Sequence, residues 1–255
     1  MDFRLYFNTL SLFLSFIIHQ SLYSQSNGIL SVSYIKKPDR LIDSTLVQDI
    51  NDATSRFNKM ISDEMKTLGY VLEVYGDYAL FKEMKSLKLG EGLNSMRKFA
   101  SSYGGTGGVF YTNLNDSLYL NLREFSGTQF KVKMKQKKWK IDAKEHKYIG
   151  DYKCIKATTV DTIANPKGVF TSDVIAWFSP ELPGYYGPAG YFGLPGLILE
   201  LQNGKISLEA KEIVFDATID SQYEIEKQKG MVVTERQYDS IVEKKAKEFF
   251  KISEF

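Results

Sequence analysis

The sequence predicts a mainly β (α+β) protein: an antiparallel meander, barrel or half-barrel, with one helix inserted after the first strand and another at the C-terminus. Three observations carry this. Short runs of alternating apolar and polar residues recur between residues 70 and 215, separated by turn pairs such as Gly76-Asp77, Ser126-Gly127 and Asn203-Gly204. Only two stretches, 45–68 and 234–251, place apolar residues at spacings of three and four. Residues 177–201 gather four of the six prolines and five of the nineteen glycines, so one loop has a path specified almost residue by residue.

The elements follow in order. Residues 1–24 read as a targeting segment, with Arg4 in the n-region, an uncharged apolar core at 10–18, and cleavage near Ser24/Gln25. No cysteine stands directly after that core, so no lipid-modified N-terminal cysteine is expected. Nothing after it approaches the roughly 20 apolar residues of a transmembrane helix. The expectation is an exported protein, periplasmic or outer-membrane associated, with a single β-rich domain over 25–255 and no transmembrane segment in the mature chain.

Residues 29–34 alternate as a first strand. Leu46, Ile50, Ala53, Phe57, Met60, Ile61 and Met65 then mark one helical face, with Asp43 or Ser44 as its cap and Gly69 as its stop. Strands are expected at 70–75 and 78–81, and a surface loop over 86–107. The glycines of 102–108 lack the Gly-Lys-Ser/Thr of a phosphate loop. Further strands are expected at 109–114, 117–125, 129–134, 139–141, 147–149, 152–160, 174–178, 196–201 and 205–215. Tyr238, Ile241, Val242, Lys245 and Phe249 form the face of the final helix, and Thr234 with Gln237 fits a capping box.

Charge excludes one class of partner. A net +2 is too balanced for nucleic-acid binding, and the lysine-rich run 131–140 alternates as a strand with one solvated face. No motif calls for a cofactor. After residue 24 the only histidine is His146, so a histidine-based metal site is not expected. The single cysteine, Cys154, lies in a β-branched run and reads as core, although a Cys154–His146 pair on adjacent strands is the one thiol arrangement to weigh. Asp173, Glu181 and Glu200 are carboxylates whose spacing selects no acid–base pair.

The loop admits two readings. It is either a structural corner under the sheet or a rigid recognition loop whose Trp177, Tyr185, Tyr186, Tyr191 and Phe192 supply contact area. Its glycines fall every third residue, from Gly184 to Gly196, but aromatics fill the intervals and a collagen-like helix is not expected.

At Gly193-Leu194-Pro195-Gly196-Leu197-Ile198 the chain resembles the GLPGLI family (Porph_ging), exported Bacteroidetes proteins named for that hexapeptide. The segment 149–159, with Tyr152 and Cys154, resembles the family's glycine-tyrosine-x-cysteine stretch. Ala176-Trp177-Phe178 and Gly187-Pro188 stand in the expected order. The similarity is close over about residues 147–215. It implies export and assigns no chemistry. The family's arginine before the tryptophan is replaced here by the run Gly168-Val169-Phe170. The order of helix and sheet is also similar to periplasmic half-barrels that carry lipoproteins or acyl chains, an analogy of architecture. The functional expectation is a non-catalytic binding or assembly factor for an envelope protein or an apolar ligand. The alternative is a hydrolase or thiol-dependent periplasmic enzyme with an unrecognised site.

Overall fold

In the computed structural model, which describes residues 29–36, 53–84, 91–165, 168–204, 207–217 and 225–252, twelve strands join one sheet. They are β1 (Ile29–Lys36), β2 (Gly69–Tyr75), β3 (Tyr78–Glu83), β4 (Val109–Asn113), β5 (Leu118–Phe125) and β6 (Thr128–Lys133), then β7 (Lys140–Ile149), β8 (Tyr152–Asn165), β9 (Gly168–Ser179), β10 (Leu197–Asn203), β11 (Ser207–Ala217) and β12 (Met231–Thr234). The order across the sheet is β12-β6-β5-β4-β3-β2-β1-β11-β10-β9-β8-β7. Neighbours are antiparallel, except that β12 runs parallel to β6. The targeting segment, Leu46, Ile50 and the Asp43/Ser44 cap lie outside the described residues.

That order dictates the shape. The chain walks outward from β1 to β6 through consecutive antiparallel neighbours, with α-helices between β1 and β2 and between β3 and β4, crosses to the opposite edge, and walks back from β7 to β11, which closes against β1. Ten strand spacings separate β6 from β7, roughly 48 Å in a flat sheet. The connecting strap, residues 134–139, can span at most about 25 Å. The sheet must therefore curl until its two halves face each other; it is open and mostly antiparallel, and of the meander, barrel or half-barrel expected from the sequence the curl gives it a half-barrel form.

The concave face holds the core. Leu30, Val32 and Tyr34 on β1 stand in register with Val74, Leu72 and Tyr70 on β2, and all six are buried. Phe81 on β3 extends the layer, stacked on Tyr70 at 5.3 Å and edge-on to Tyr34 at 6.1 Å between ring centroids. On the other half, Ala157, Val174, Ala176, Phe178, Ile198 and Leu201 are buried.

Three α-helices complete the described residues: α1 (Ala53–Thr67), α2 (Glu91–Tyr103) and α3 (Glu235–Ile252). None is long and apolar enough to cross a membrane. Ile61 and Met65 of α1, with Leu68 just beyond it, enter the core as their spacing predicts. Arg97 of α2 ties the helix pair to the sheet, donating to Glu83 on β3 and to Glu64 on α1. The capping box opens α3: Thr234 N–H donates to Gln237 Oε1 at 2.8 Å, and Gln237 N–H donates back to Thr234 Oγ1 at 3.3 Å.

Three expectations change. Much of the segment 86–107, expected as a surface loop, forms α2; its serines and glycines argue against a helix, but Ala100 is fully buried and α1 supplies a packing surface. Tertiary contact overrides weak propensity there. The two short strands expected at 139–141 and 147–149 are one strand, β7, interrupted by a bulge between Asp142 and His146. β12 was not anticipated, because a four-residue strand completing a parallel pair leaves no alternating run to read.

Candidate functional site

Residues 180–196 leave the sheet at the end of β9 and return at the neighbouring strand β10, yet the middle of this loop lies against the opposite half of the sheet. Its 3-10 turn, Pro188–Gly190, packs on β3 and β4. Tyr186 Oη donates to the Gly76 carbonyl at 3.3 Å, and the Phe192 ring sits 4.4 Å from that of Tyr119 on β5. The loop therefore spans the concave face and fills it. Its backbone is knitted internally, with Gly193 N–H donating to Tyr185 O at 2.7 Å and Ile198 N–H to Tyr186 O at 3.0 Å.

Two glycines show why side chains are excluded. At Gly196 φ is +141°, and an added Cβ would lie 2.2 Å from the Ser179 carbonyl oxygen. Gly187 has extended backbone, but its Cβ would meet Ile198 and the Tyr191 carbonyl at 2.7–2.8 Å. In the hexapeptide, Leu194, Leu197 and Ile198 are buried, Gly193 backs onto Gln136 of the strap, and Pro195 is exposed at the bend.

The aromatics divide sharply. Tyr185 is 54% exposed, whereas Tyr186, Tyr191 and Phe192 are 4%, 6% and 1% exposed. Trp177, on β9, is half-buried. Tyr191 lies at the centre of a clasp. Its hydroxyl donates to the Asp161 carboxylate on β8 and accepts from Asn203 Nδ2 on β10 at 3.0 Å. Lys137 of the strap reaches the same carboxylate at 2.7 Å and lies 5.9 Å over the Tyr191 ring. Trp139 Nε1 donates to the Phe192 carbonyl at 2.9 Å. Burial first, and the Asp161 charge second, raise the Tyr191 pKa far above its ordinary value, so the hydroxyl stays a donor.

A second polar group sits on the other face of β7–β10. Glu200 is 1% exposed and accepts from Lys147 Nζ and Gln202 Nε2, both at 2.6 Å. The same ammonium stands 4.5 Å over the Trp177 ring. Cys154 lies beside this group, fully buried. Burial pushes its thiol up to about 12, with Lys147 lowering and Glu200 raising it. Tyr152, two residues earlier, is half-buried.

The thiol pair weighed from sequence is not assembled. His146 is paired with Ile155 and Lys147 with Cys154, so His146 and Cys154 point to opposite faces of the sheet. His146 is exposed. Asp173 and Glu181 are exposed, whereas Glu200 is buried. Among the described residues, no three histidine, cysteine or acidic side chains converge as metal ligands.

Asp161, Asn203, Lys137, Trp139 and Lys147 were not among the candidates from sequence. None of them left a trace in the sequence: Lys137 continues the alternation of Lys131, Lys133 and Lys135 that reads as a solvated face.

Fold and loop together define a class: a curled, single-sheet β protein whose concavity is closed by its own glycine-proline segment. A family model described as "Protein of unknown function (Porph_ging)" matches residues 169–200, taking in β9, the whole loop and the start of β10. The resemblance seen at the hexapeptide is thus to that family; the upstream Tyr152–Cys154 stretch lies outside the matched residues. Curated proteins gave no match. Among solved structures, PNGF-II in space group C2 is 13% identical with a TM-score of 0.49, and PNGF-II in space group P21 is 13% identical with a TM-score of 0.48. Each comparison covers 84% of this chain, which spans about a third of PNGF-II (32% and 33%).

Proposed function

We propose that this is an exported envelope protein acting as a non-catalytic binding or assembly factor, and that its partner is a protein rather than an apolar small molecule. The observation that carries the choice of partner is the loop lying across the concave face. Apolar ligands occupy concave, apolar sites. Here Tyr186, Tyr191, Phe192 and Leu194 of the chain itself occupy that volume. Recognition is left to exposed side chains such as Tyr185 of the loop and Tyr148 of the edge strand β7, which are 54% and 68% exposed. The buried, protonated Cys154 facing away from His146 supports a non-catalytic role. The apolar segment at 10–18 supports export.

Two measurements test this on the mature protein. Titration with N-phenyl-1-naphthylamine, a dye that brightens in apolar cavities, is expected to show no saturable uptake. A photo-crosslinking amino acid at Tyr148, introduced in the cells that make the protein, is expected to give a discrete protein adduct. Saturable one-to-one dye binding, displaced by a fatty acid, would overturn the proposal in favour of an apolar-ligand carrier.

A further inference from the structure

Residues 133–144 contain six lysines and one acid, Asp142, in a chain whose total charge is only +2. The remainder of the protein is therefore net acidic, and positive charge is concentrated on the strap and the start of β7. Burial sorts these residues in near alternation. Val132, Met134, Lys137 and Trp139 turn inward; Lys133, Lys135, Lys138 and Lys140 are exposed. The inward set is fixed by its contacts: Met134 against Gly190, Lys137 on Asp161, Trp139 on the Phe192 carbonyl. The outward lysines, with Lys144, make no ion pair among the described residues; the nearby lysine–acid pairs, Lys137 with Asp161, Lys147 with Glu200 and Lys156 with Glu145, use other lysines. The result is a row of cations held on a backbone that is anchored from below.

We propose that this row is a docking surface for an extended acidic segment of a partner protein. The proposal rests on the binding reading above and supplies the chemistry of the partner. Charge complementarity selects an acidic occupant, and the linear arrangement selects an extended one. Acids at every second position of an extended chain recur at roughly 6.8 Å, the repeat within each of the outward pairs Lys133/Lys135 and Lys138/Lys140, between which the phase shifts by one residue. The inward anchors keep the row ordered before binding, which lowers the entropy cost of docking.

The test uses the mature protein and a fluorescein-labelled peptide of six alternating Glu-Thr repeats, followed by anisotropy at about 20 mM and about 150 mM salt. The expected result is saturable binding that weakens with salt. The triple variant Lys133→Glu, Lys135→Glu, Lys138→Glu should weaken it at least about tenfold, or about 1.4 kcal/mol. A control with the same charge change at exposed sites elsewhere (Lys211→Glu, Lys244→Glu, Lys245→Glu) should stay within about threefold of the parent. Equal loss in both variants would reduce the effect to net charge and overturn the proposal. So would equally tight binding of a block peptide with the glutamates contiguous, since the row would then impose no register. Strap-dependent binding to phosphatidylglycerol vesicles, without peptide binding, would assign the surface to a membrane instead. Loss of peptide binding with the Tyr148 adduct intact sinks only the partner chemistry; loss of the adduct as well sinks the binding reading.

Discussion

Lys36 offers the sharpest test of how the half-barrel is built. It ends β1 on the concave face, opposite Leu208 of β11, and is 4% exposed. Its ammonium lies 5.7 Å over the Tyr70 ring, with the Glu83 carboxylate as the attractive charge, and makes no hydrogen bond among the described residues. Burial lowers its pKa to about 8, and Glu83 offsets part of that. The folded state thus holds the proton more weakly than the unfolded chain, where a lysine titrates at about 10.4. Below about pH 8 the ammonium is a cost to the fold; as pH rises from about 8 to about 10.4 the unfolded state binds the extra proton and that cost disappears. At about 1.36 kcal/mol per unit of pKa, the gap is about 3 kcal/mol.

Lys36→Met keeps the length of the side chain and removes the charge. The variant is expected to be more stable than the parent at pH 7 by up to about 3 kcal/mol, raising the melting midpoint by roughly 2–4 °C per kcal/mol in a chain of this size. The decisive assay is urea unfolding of both proteins from pH 7 to pH 10.5. Other groups titrate in both and cancel in the difference. The advantage of the methionine should shrink towards zero across the upper half of that range. A pH-independent difference, or a parent more stable at pH 7, would refute the reasoning, because it would mean that Lys36 is a paired cation.

The remaining predictions concern the loop and its surroundings. Tyr185→Ala should change stability by less than about 0.5 kcal/mol, whereas Tyr186→Ala should cost about 3–5 kcal/mol, both read from chemical denaturation. Gly196→Ala forces a Cβ onto the Ser179 carbonyl and should destabilise by several kcal/mol, visible as a lower melting temperature. Lys147→Met removes the Lys147 ammonium from the buried Glu200 and should cost about 3–5 kcal/mol, with Glu200→Gln added to the variant restoring part of the loss. With its pKa near 12, Cys154 should react with iodoacetamide at pH 8 only as fast as the protein unfolds; rapid labelling of the native protein would contradict its burial.

Much of the sheet was legible because its turns are local. Gly76-Asp77 and Ser126-Gly127 join the strands they were expected to join, and Gly76, Ser126 and Gly127 all take positive φ. The period of two survives in β1 because one of its faces is dry, and fails in β7 because an edge strand with exposed side chains has no burial to enforce it. The concave surface was not legible in the same way. Asp161, Asn203 and Lys137 meet at Tyr191 only because the sheet curls, and curling is a property of strand order, which no local run of residues encodes. Before strand order is known, an aspartate in a Val-Asp-Thr strand looks like any solvated residue.

The glycine-rich signature gains its meaning from that same curvature. A loop joining two neighbouring strands needs only a few residues. Residues 180–196 are far more than β9 and β10 require, and the excess crosses the concave face to reach Gly76, Phe110 and Tyr119 on the other half. Close approach to opposing backbone and rings favours glycine where the loop touches, and aromatics where it must fill space. Both kinds of residue therefore alternate through the segment without a repeating helix being present. The strap 134–139 runs over the same loop, and its inward Lys137 and Trp139 hold it there. Loop and strap thus form one unit: the loop fills the concave face and anchors the strap that carries the lysines of the proposed docking row. A variant that loosens the clasp without unfolding the sheet, such as Tyr191→Phe, should weaken binding of the alternating Glu-Thr peptide although no peptide-contacting lysine is changed. If Tyr191→Phe leaves that affinity untouched, the row of lysines does not depend on the loop, and the proposed link between signature and docking surface fails.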